Sequence, residues 1–256
     1  MDAKQLELLN KSIEGGPESM ADIPKLLRAY FYGDPGVGKT DLTARILEAI
    51  NASPMWVYTD SGISTLFKFP ELVKRTKPIP FDSFGQIRML VQARDEGYEP
   101  YCNYDTLVLD TASTAINQML REVVTANPLG PPEQKHPLVE AWPHYRIVES
   151  ALKDTIEVLN KSGMHIIYLA HIRDPTEKDK TNKRFAIRPA GPEACYKQIA
   201  QEANLIGWQF KEKAEGRLIQ FEPTLQETAK TQIPTIDEKT YKVNQIPELI
   251  QKYVNS

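Results

Sequence analysis

The stretch Tyr30–Leu42, YFYGDPGVGKTDL, decides the reading of this chain. Before it and into it, Leu26–Tyr32 is a short apolar, aromatic-rich run, the pattern of a buried strand. From Lys39 onward Leu42, Ile46, Leu47 and Ile50 recur at spacings of three and four, the period of a helix packed on a sheet. Between the two lies Gly33-Asp34-Pro35-Gly36-Val37-Gly38-Lys39-Thr40, which fits the phosphate-loop spacing G-x-x-x-x-G-K-[ST]. Each residue type has a physical reason. Backbone N–H groups of the turn and the helix N-terminus must converge on one anion. Gly33, Gly36 and Gly38 let the backbone turn and approach without a Cβ in the way. Lys39 adds a point charge for the β- and γ-phosphates, and the Thr40 hydroxyl completes a Mg²⁺ shell. A glycine-rich turn can match by chance; a strand before it and a helix after it are the confirming context.

Working outward, the site needs an acid at the end of a neighbouring strand. Thr106–Asp110, TLVLD, is a continuous apolar run ending in a carboxylate, so Asp110 is the candidate to hold Mg²⁺ through water. The competing role for Asp110 is the N-cap of a helix starting near Thr111–Ser113. Hydrolysis also requires a group that orients water. Asp60, closing the strand PMWVYTD (54–60), is the best-placed carboxylate, and a loop or cap role is equally open to it.

The rest of the chain alternates strands with helices. Phe84, Ile87, Leu90 and Val91 mark one helix, Ile116 to Val124 a second, Tyr145 to Leu159 a third, and HIIYLAH (165–171) is another buried strand. Residues 61–80, with three prolines, are read as irregular, and 127–137 and 172–191 as loops. Residues 192–206 are read as helical, and 207–223 as two strands joined by a turn at Glu215-Gly216. This predicts an α/β fold, a mostly parallel sheet with helices on both faces and a small C-terminal β-hairpin extension. The organisation expected is an N-terminal arm over 1–21, one domain over 22–223 and a C-terminal extension over 224–256.

Composition limits the function classes. The 256 residues are 41% hydrophobic and 25% charged, with a net charge of −3, which argues against a chain coated in positive charge for nucleic acid. No window is apolar enough to span a bilayer, and the first residues lack a signal-peptide core, so a cytoplasmic protein with no membrane partner is expected. Cys102 and Cys195 are far apart and, like the four histidines, stand in no metal-ligand spacing; two reduced thiols and no zinc site are expected.

The order of parts, with the wording FYGDPGVGKTDL, TLVLDTAST, AWPHY and HIIYLAH, resembles the phage-encoded RecA-like P-loop ATPases, AAA-type nucleotide-binding proteins that include single-strand annealing and recombination proteins. The resemblance covers roughly residues 22–222. It implies a RecA-like ATPase core using ATP and Mg²⁺ in a host-cell cytoplasm. It implies Lys39, Asp60, Asp110 and His171 as catalytic residues, with His171 where these proteins keep a polar sensor of the γ-phosphate. It places a single-stranded DNA loop at 172–191 and a first DNA loop at 127–137. It also implies a basic finger on KEKAEGR (211–217), with Lys213 and Arg217 reaching a neighbouring subunit's ATP in a ring or filament. Two departures stand out: relatives usually carry glutamate where this chain has Asp60, and no large N-terminal DNA-binding domain is evident.

Residues 172–188 support the DNA reading on their own composition. Arg173, Lys178, Lys180, Lys183, Arg184 and Arg188 outweigh three acids, giving +3, and Phe185 offers a ring for a base. Most charge runs are simply solvated surface. The leading expectation is therefore an ATP-hydrolysing, single-stranded-DNA-binding protein of phage recombination, annealing or replication, with phage replication or recombination proteins as further partners. The alternative is a nucleotide-dependent partner-loading or switch protein without direct DNA binding. A small-molecule kinase is a third class, for which no acceptor pocket or lid is identifiable.

Overall fold

A computed structural model describes residues 24–128, 142–173, 189–223 and 229–256. The N-terminal arm, most of the proline-rich stretch after Asn127 and most of the basic stretch after Arg173 lie outside the described residues.

The phosphate-loop strand is β1 (Arg28–Gly33) and its helix α1 (Lys39–Ala49). There follow β2 (Pro54–Tyr58), α2 (Pro70–Arg75), β3 (Lys77–Pro80), α3 (Phe84–Asp95), β4 (Thr106–Asp110), α4 (Ala112–Ala126), α5 (Trp142–Lys161) and β5 (His165–His171). The chain ends with α6 (Glu193–Glu202), β6 (Leu205–Glu212), β7 (Gly216–Gln220), β8 (Lys230–Thr231), β9 (Thr240–Lys242) and α7 (Ile246–Val254). Among the described residues these strands form one sheet in the order β3-β2-β4-β5-β1-β6-β7-β9, with β8 also on β6. The six strands from β3 to β6 are parallel, and β7, β8 and β9 pair antiparallel. This is the expected α/β architecture, with β5 between the phosphate-loop strand and the Asp110 strand.

Helices cover both faces because each central strand alternates two apolar sets. Tyr30, Tyr32, Leu107, Leu109, Ile166 and Tyr168 pack under α3, α4, α5 and α6. Ala29, Phe31, Trp56, Val108, Ile167 and Leu169 pack under α1, α2 and α7.

Two expectations are corrected. Residues 61–80 are structured: a 3-10 turn spans Ser61–Lys68, Pro70 starts α2, and Pro78 and Pro80 sit in β3. The prolines do not break these elements, because Pro is compatible with the first turn of a helix, where an N–H is unpaired anyway, and with an edge strand. The helix predicted over 192–206 ends at Glu202, since Leu205 and Ile206 pair with Ala29 and Tyr30 of β1. In the C-terminal extension, Ile233, Ile236, Val243, Ile246 and Ile250 are buried in the α1-side cluster, and β8 and β9 join the sheet.

Candidate nucleotide-binding site

Strand register brings the polar residues together. Gly33, Asp110 and His171 end three parallel strands, and each continues the alternation set that faces α1. Gly33 pairs with His171 on one side and Gln209 on the other. One cavity of about 340 Å³ is lined by Pro35, Gly36, Gly38, Lys39, Thr40 and Asp41, by Asp60, Gly62, Thr65 and Lys68, and by Asp110, Thr111, His171 and Arg217.

The loop geometry follows from its glycines. Gly36 has φ +76° and Gly38 φ +102°, in the left-handed region glycine adopts without penalty. A Cβ on Gly33 would overlap the carbonyl oxygen of Gln209, so glycine is required there by the close approach of β6. Gln209, fully buried, donates its Nε2 to the Val37 carbonyl at 3.2 Å and so braces the loop from below.

Lys39 lies across the loop and donates to the carbonyls of Gly33 and Asp34, both at 3.0 Å. Burial lowers its pKa to about 8, against the pull of Asp110, Asp34 and Asp60. Thr40 donates its hydroxyl to Asp110 Oδ2 at 3.0 Å. Burial raises the Asp110 carboxyl to about 6; the Thr40 hydroxyl opposes this and the charge of Asp60 adds to it. The cap role weighed for Asp110 belongs instead to Thr111, whose Oγ1 accepts from Thr114 N–H at 3.4 Å. Thr59 holds the end of β4: its N–H donates to the Asp110 carbonyl at 2.8 Å, and its hydroxyl accepts from Thr111 N–H at 3.0 Å.

Asp60 lines the cavity and also caps the 3-10 turn, accepting from Gly62 N–H at 2.7 Å. The His171 backbone N–H donates to Ser113 Oγ at 3.1 Å. Its Nδ1 is buried with no hydrogen-bond partner among the described residues. Burial, then the nearby Lys39 charge, lower its pKa, so the ring is neutral near pH 7.

The two finger candidates differ in where they sit on their own chain. Arg217 lines its own chain's cavity, and its Nη1 is 3.4 Å from Asp41 Oδ2. The β7 register directs it there, because Arg217 shares a face with Ile219, which packs on the α1 side. Lys213 is exposed in the turn between β6 and β7 and does not line the cavity. Arg173 is half-buried beside Ile172, whereas Lys178, Lys180, Lys183, Arg184, Phe185 and Arg188 lie outside the described residues. Sequence reasoning missed Asp41, Thr59, Ser113 and Gln209. Only Gln209 carried a signal, as an amide within an otherwise apolar strand core.

These residues fit a nucleoside triphosphate and Mg²⁺. The open side of Gly36, where a Cβ would meet nothing within 4 Å, the buried Lys39 and the paired Thr40 and Asp110 are the donor set such a ligand needs. Thr40 and Asp110 would hold the ion, which supplies charge neutralisation on the phosphates. Fold and site together define an α/β domain built around a phosphate loop. A family model described as AAA domain matches residues 25–233, and the chain belongs to that family. No curated protein matches the sequence. Among solved structures, the crystal structure of the RadB recombinase is similar at 15% identity and a TM-score of 0.42, over 82% of this chain and 84% of that one.

Proposed function

We propose that this protein hydrolyses ATP with Mg²⁺ and uses the nucleotide state to control its hold on single-stranded DNA, in the recombination, annealing or replication of a phage-like genome. One observation carries this reading. The described residues that flank the basic stretch are joined to each other next to His171, which lines the nucleotide cavity. The first flank, Ile172, bridges to the last, Pro189, and Ala190 N–H donates to the His171 carbonyl at 2.8 Å. Both flanks are therefore tied to the strand whose last side chain lines the cavity. A change at His171 on hydrolysis is thereby transmitted to a segment rich in Lys and Arg.

In the chemical step Lys39 holds the phosphate chain, Asp60 orients the attacking water, and neutral His171 hydrogen-bonds the γ-phosphate or that water. Assembly into a homo-oligomer, ring or filament, is part of the proposal, since it would align successive basic segments along one strand.

The test is ATP turnover with and without single-stranded DNA, with DNA affinity measured across a salt series. Stimulated turnover and a steep salt slope are expected. Changing Lys183 and Arg184 to Ala should weaken DNA binding and flatten that slope while ATP binding persists. Turnover indifferent to DNA, with nucleotide-dependent binding to a helicase or polymerase instead, would establish the protein as a partner-loading switch.

A further inference from the structure

We propose that Arg217 grips the phosphate chain of the nucleotide bound by its own chain, and that Asp41 is the latch on which it rests otherwise. The inference rests on the phosphate-loop reading above and assigns a residue beyond the loop itself.

Arg217 stands on a fixed backbone. It pairs with Lys211 across the β6–β7 turn, and the next two residues, Leu218 and Ile219, are buried. From that anchor its guanidinium lies directly over the phosphate loop. A Cβ on Gly38 would sit 2.7 Å from Nη1 and 3.1 Å from Cζ, which shows how closely the guanidinium approaches the loop backbone. An anion held by the loop amides and the α1 N-terminus would be a neighbour of this guanidinium, reachable by side-chain rotation alone.

The Asp41 contact is built to be given up. Asp41 is a nearly buried carboxylate in the first turn of α1, and one of its oxygens serves two arginines: Arg45 Nε at 3.0 Å and Arg217 Nη1 at 3.4 Å. The Arg217 contact is the longer of the two, and that side chain is 46% exposed, so the pair is weak. When Arg217 leaves, Asp41 keeps Arg45, and no buried charge is stranded. A phosphate offers Arg217 bidentate, charge-assisted hydrogen bonds in exchange.

Sheet order says which part of the nucleotide is held. Arg217, on β7, and Asp110 and Asp60, on and beside β4 and β2, approach the loop from opposite flanks of β1. The metal and the reacting γ-phosphate belong to the Thr40–Asp110 flank. Arg217 therefore acts on the portion common to ADP and ATP, as a binding residue.

The experiment is calorimetric titration of ADP and of ATP, each with Mg²⁺, into the full chain and four variants. Arg217→Ala should weaken both nucleotides by the same factor, roughly ten- to a hundredfold, at any protein concentration. Asp41→Asn should tighten both severalfold, by freeing the arginine and removing a negative charge beside the phosphates. In the double variant Asp41→Asn/Arg217→Ala the latch effect should vanish, leaving only the smaller gain from the lost charge. Thermal unfolding of each variant separates a binding defect from a folding defect. If wild type binds, Lys39→Ala does not, and Arg217→Ala binds ADP as wild type does, the inference fails while the phosphate-loop reading stands. Loss confined to ATP, and restored by mixing with Lys39→Ala, would overturn it in favour of a contact between subunits. If wild type binds neither nucleotide, both readings fall.

Discussion

At the scale of single residues, two buried charges give the site its pH behaviour. Burial holds Lys39 at about 8, below its ordinary value, and a bound triphosphate favours its charged form. Nucleotide binding should therefore take up protons above about pH 8, and affinity should fall as pH rises through that value. Calorimetry at pH 8.5 in two buffers of different ionisation heat measures the uptake, which Lys39→Ala should abolish together with tight binding. Asp110 is the opposite case. Its folded pKa, about 6, lies above the unfolded 3.8, so the ionised carboxylate destabilises the fold. That penalty is absent below pH 3.8, grows between the two values and is complete above about 6. Asp110→Asn should thus stabilise the nucleotide-free protein by on the order of 3 kcal/mol at pH 7.5, with the gain vanishing toward pH 4, yet slow Mg²⁺-dependent hydrolysis. Denaturant melts across pH and a turnover assay read the two effects separately. An Asn that hydrolyses ATP at the wild-type rate would remove Asp110 from the metal site.

At the scale of elements, contacts between strand ends hold the site's geometry. The β1–β6 pair comes close enough at Gly33 that a Cβ would overlap the Gln209 carbonyl, while Gly36 opens to space. Gly33→Ala should therefore destabilise the fold by about 1–3 kcal/mol through a forced backbone shift. Gly36→Ala should cost only about 1–2 kcal/mol of left-handed strain, and urea unfolding should rank the two accordingly. The end of β5 is held by Ser113 of α4 through the backbone, which leaves the His171 ring available to a ligand. His171→Ala is expected to bind nucleotide and DNA, but with the same DNA affinity in ATP as in ADP. A difference of wild-type size in that variant would exclude His171 as the coupling residue.

At the scale of the whole molecule, the C-terminal residues carry the helix on which the site depends. Ile246 and Ile250 of α7 are fully buried in the cluster that includes Leu42, Ile46 and Leu47 of α1. Gln251 Nε2 also donates to the Ala49 carbonyl at 2.6 Å, at the end of α1. Ile250→Ala should destabilise the protein by about 2–5 kcal/mol, measured by urea unfolding, and added nucleotide should recover part of that loss. The helical period of Ile246, Leu249, Ile250, Tyr253 and Val254 is written in the sequence, but the partner of that face is not, because the α1 residues it packs on lie some two hundred residues earlier.

What the sequence by itself determined is local. The phosphate loop, the order of strands and helices and the acid ending TLVLD could be read because each is written in a few consecutive residues with a fixed period or spacing. Parallel pairing and coverage on both faces followed from alternating strands and helices. Only the tertiary structure decided that Gln209 braces the loop, that Thr111 rather than Asp110 caps α4, and that Arg217 lies over its own chain's Gly38. The Thr111 cap is a local contact, decided by where β4 ends. The Gln209 and Arg217 contacts join residues far apart in the chain through strand register, and a shift of one residue in register turns a side chain to the other face of the sheet. No local pattern encodes that choice; the packing of two hydrophobic layers against one sheet does.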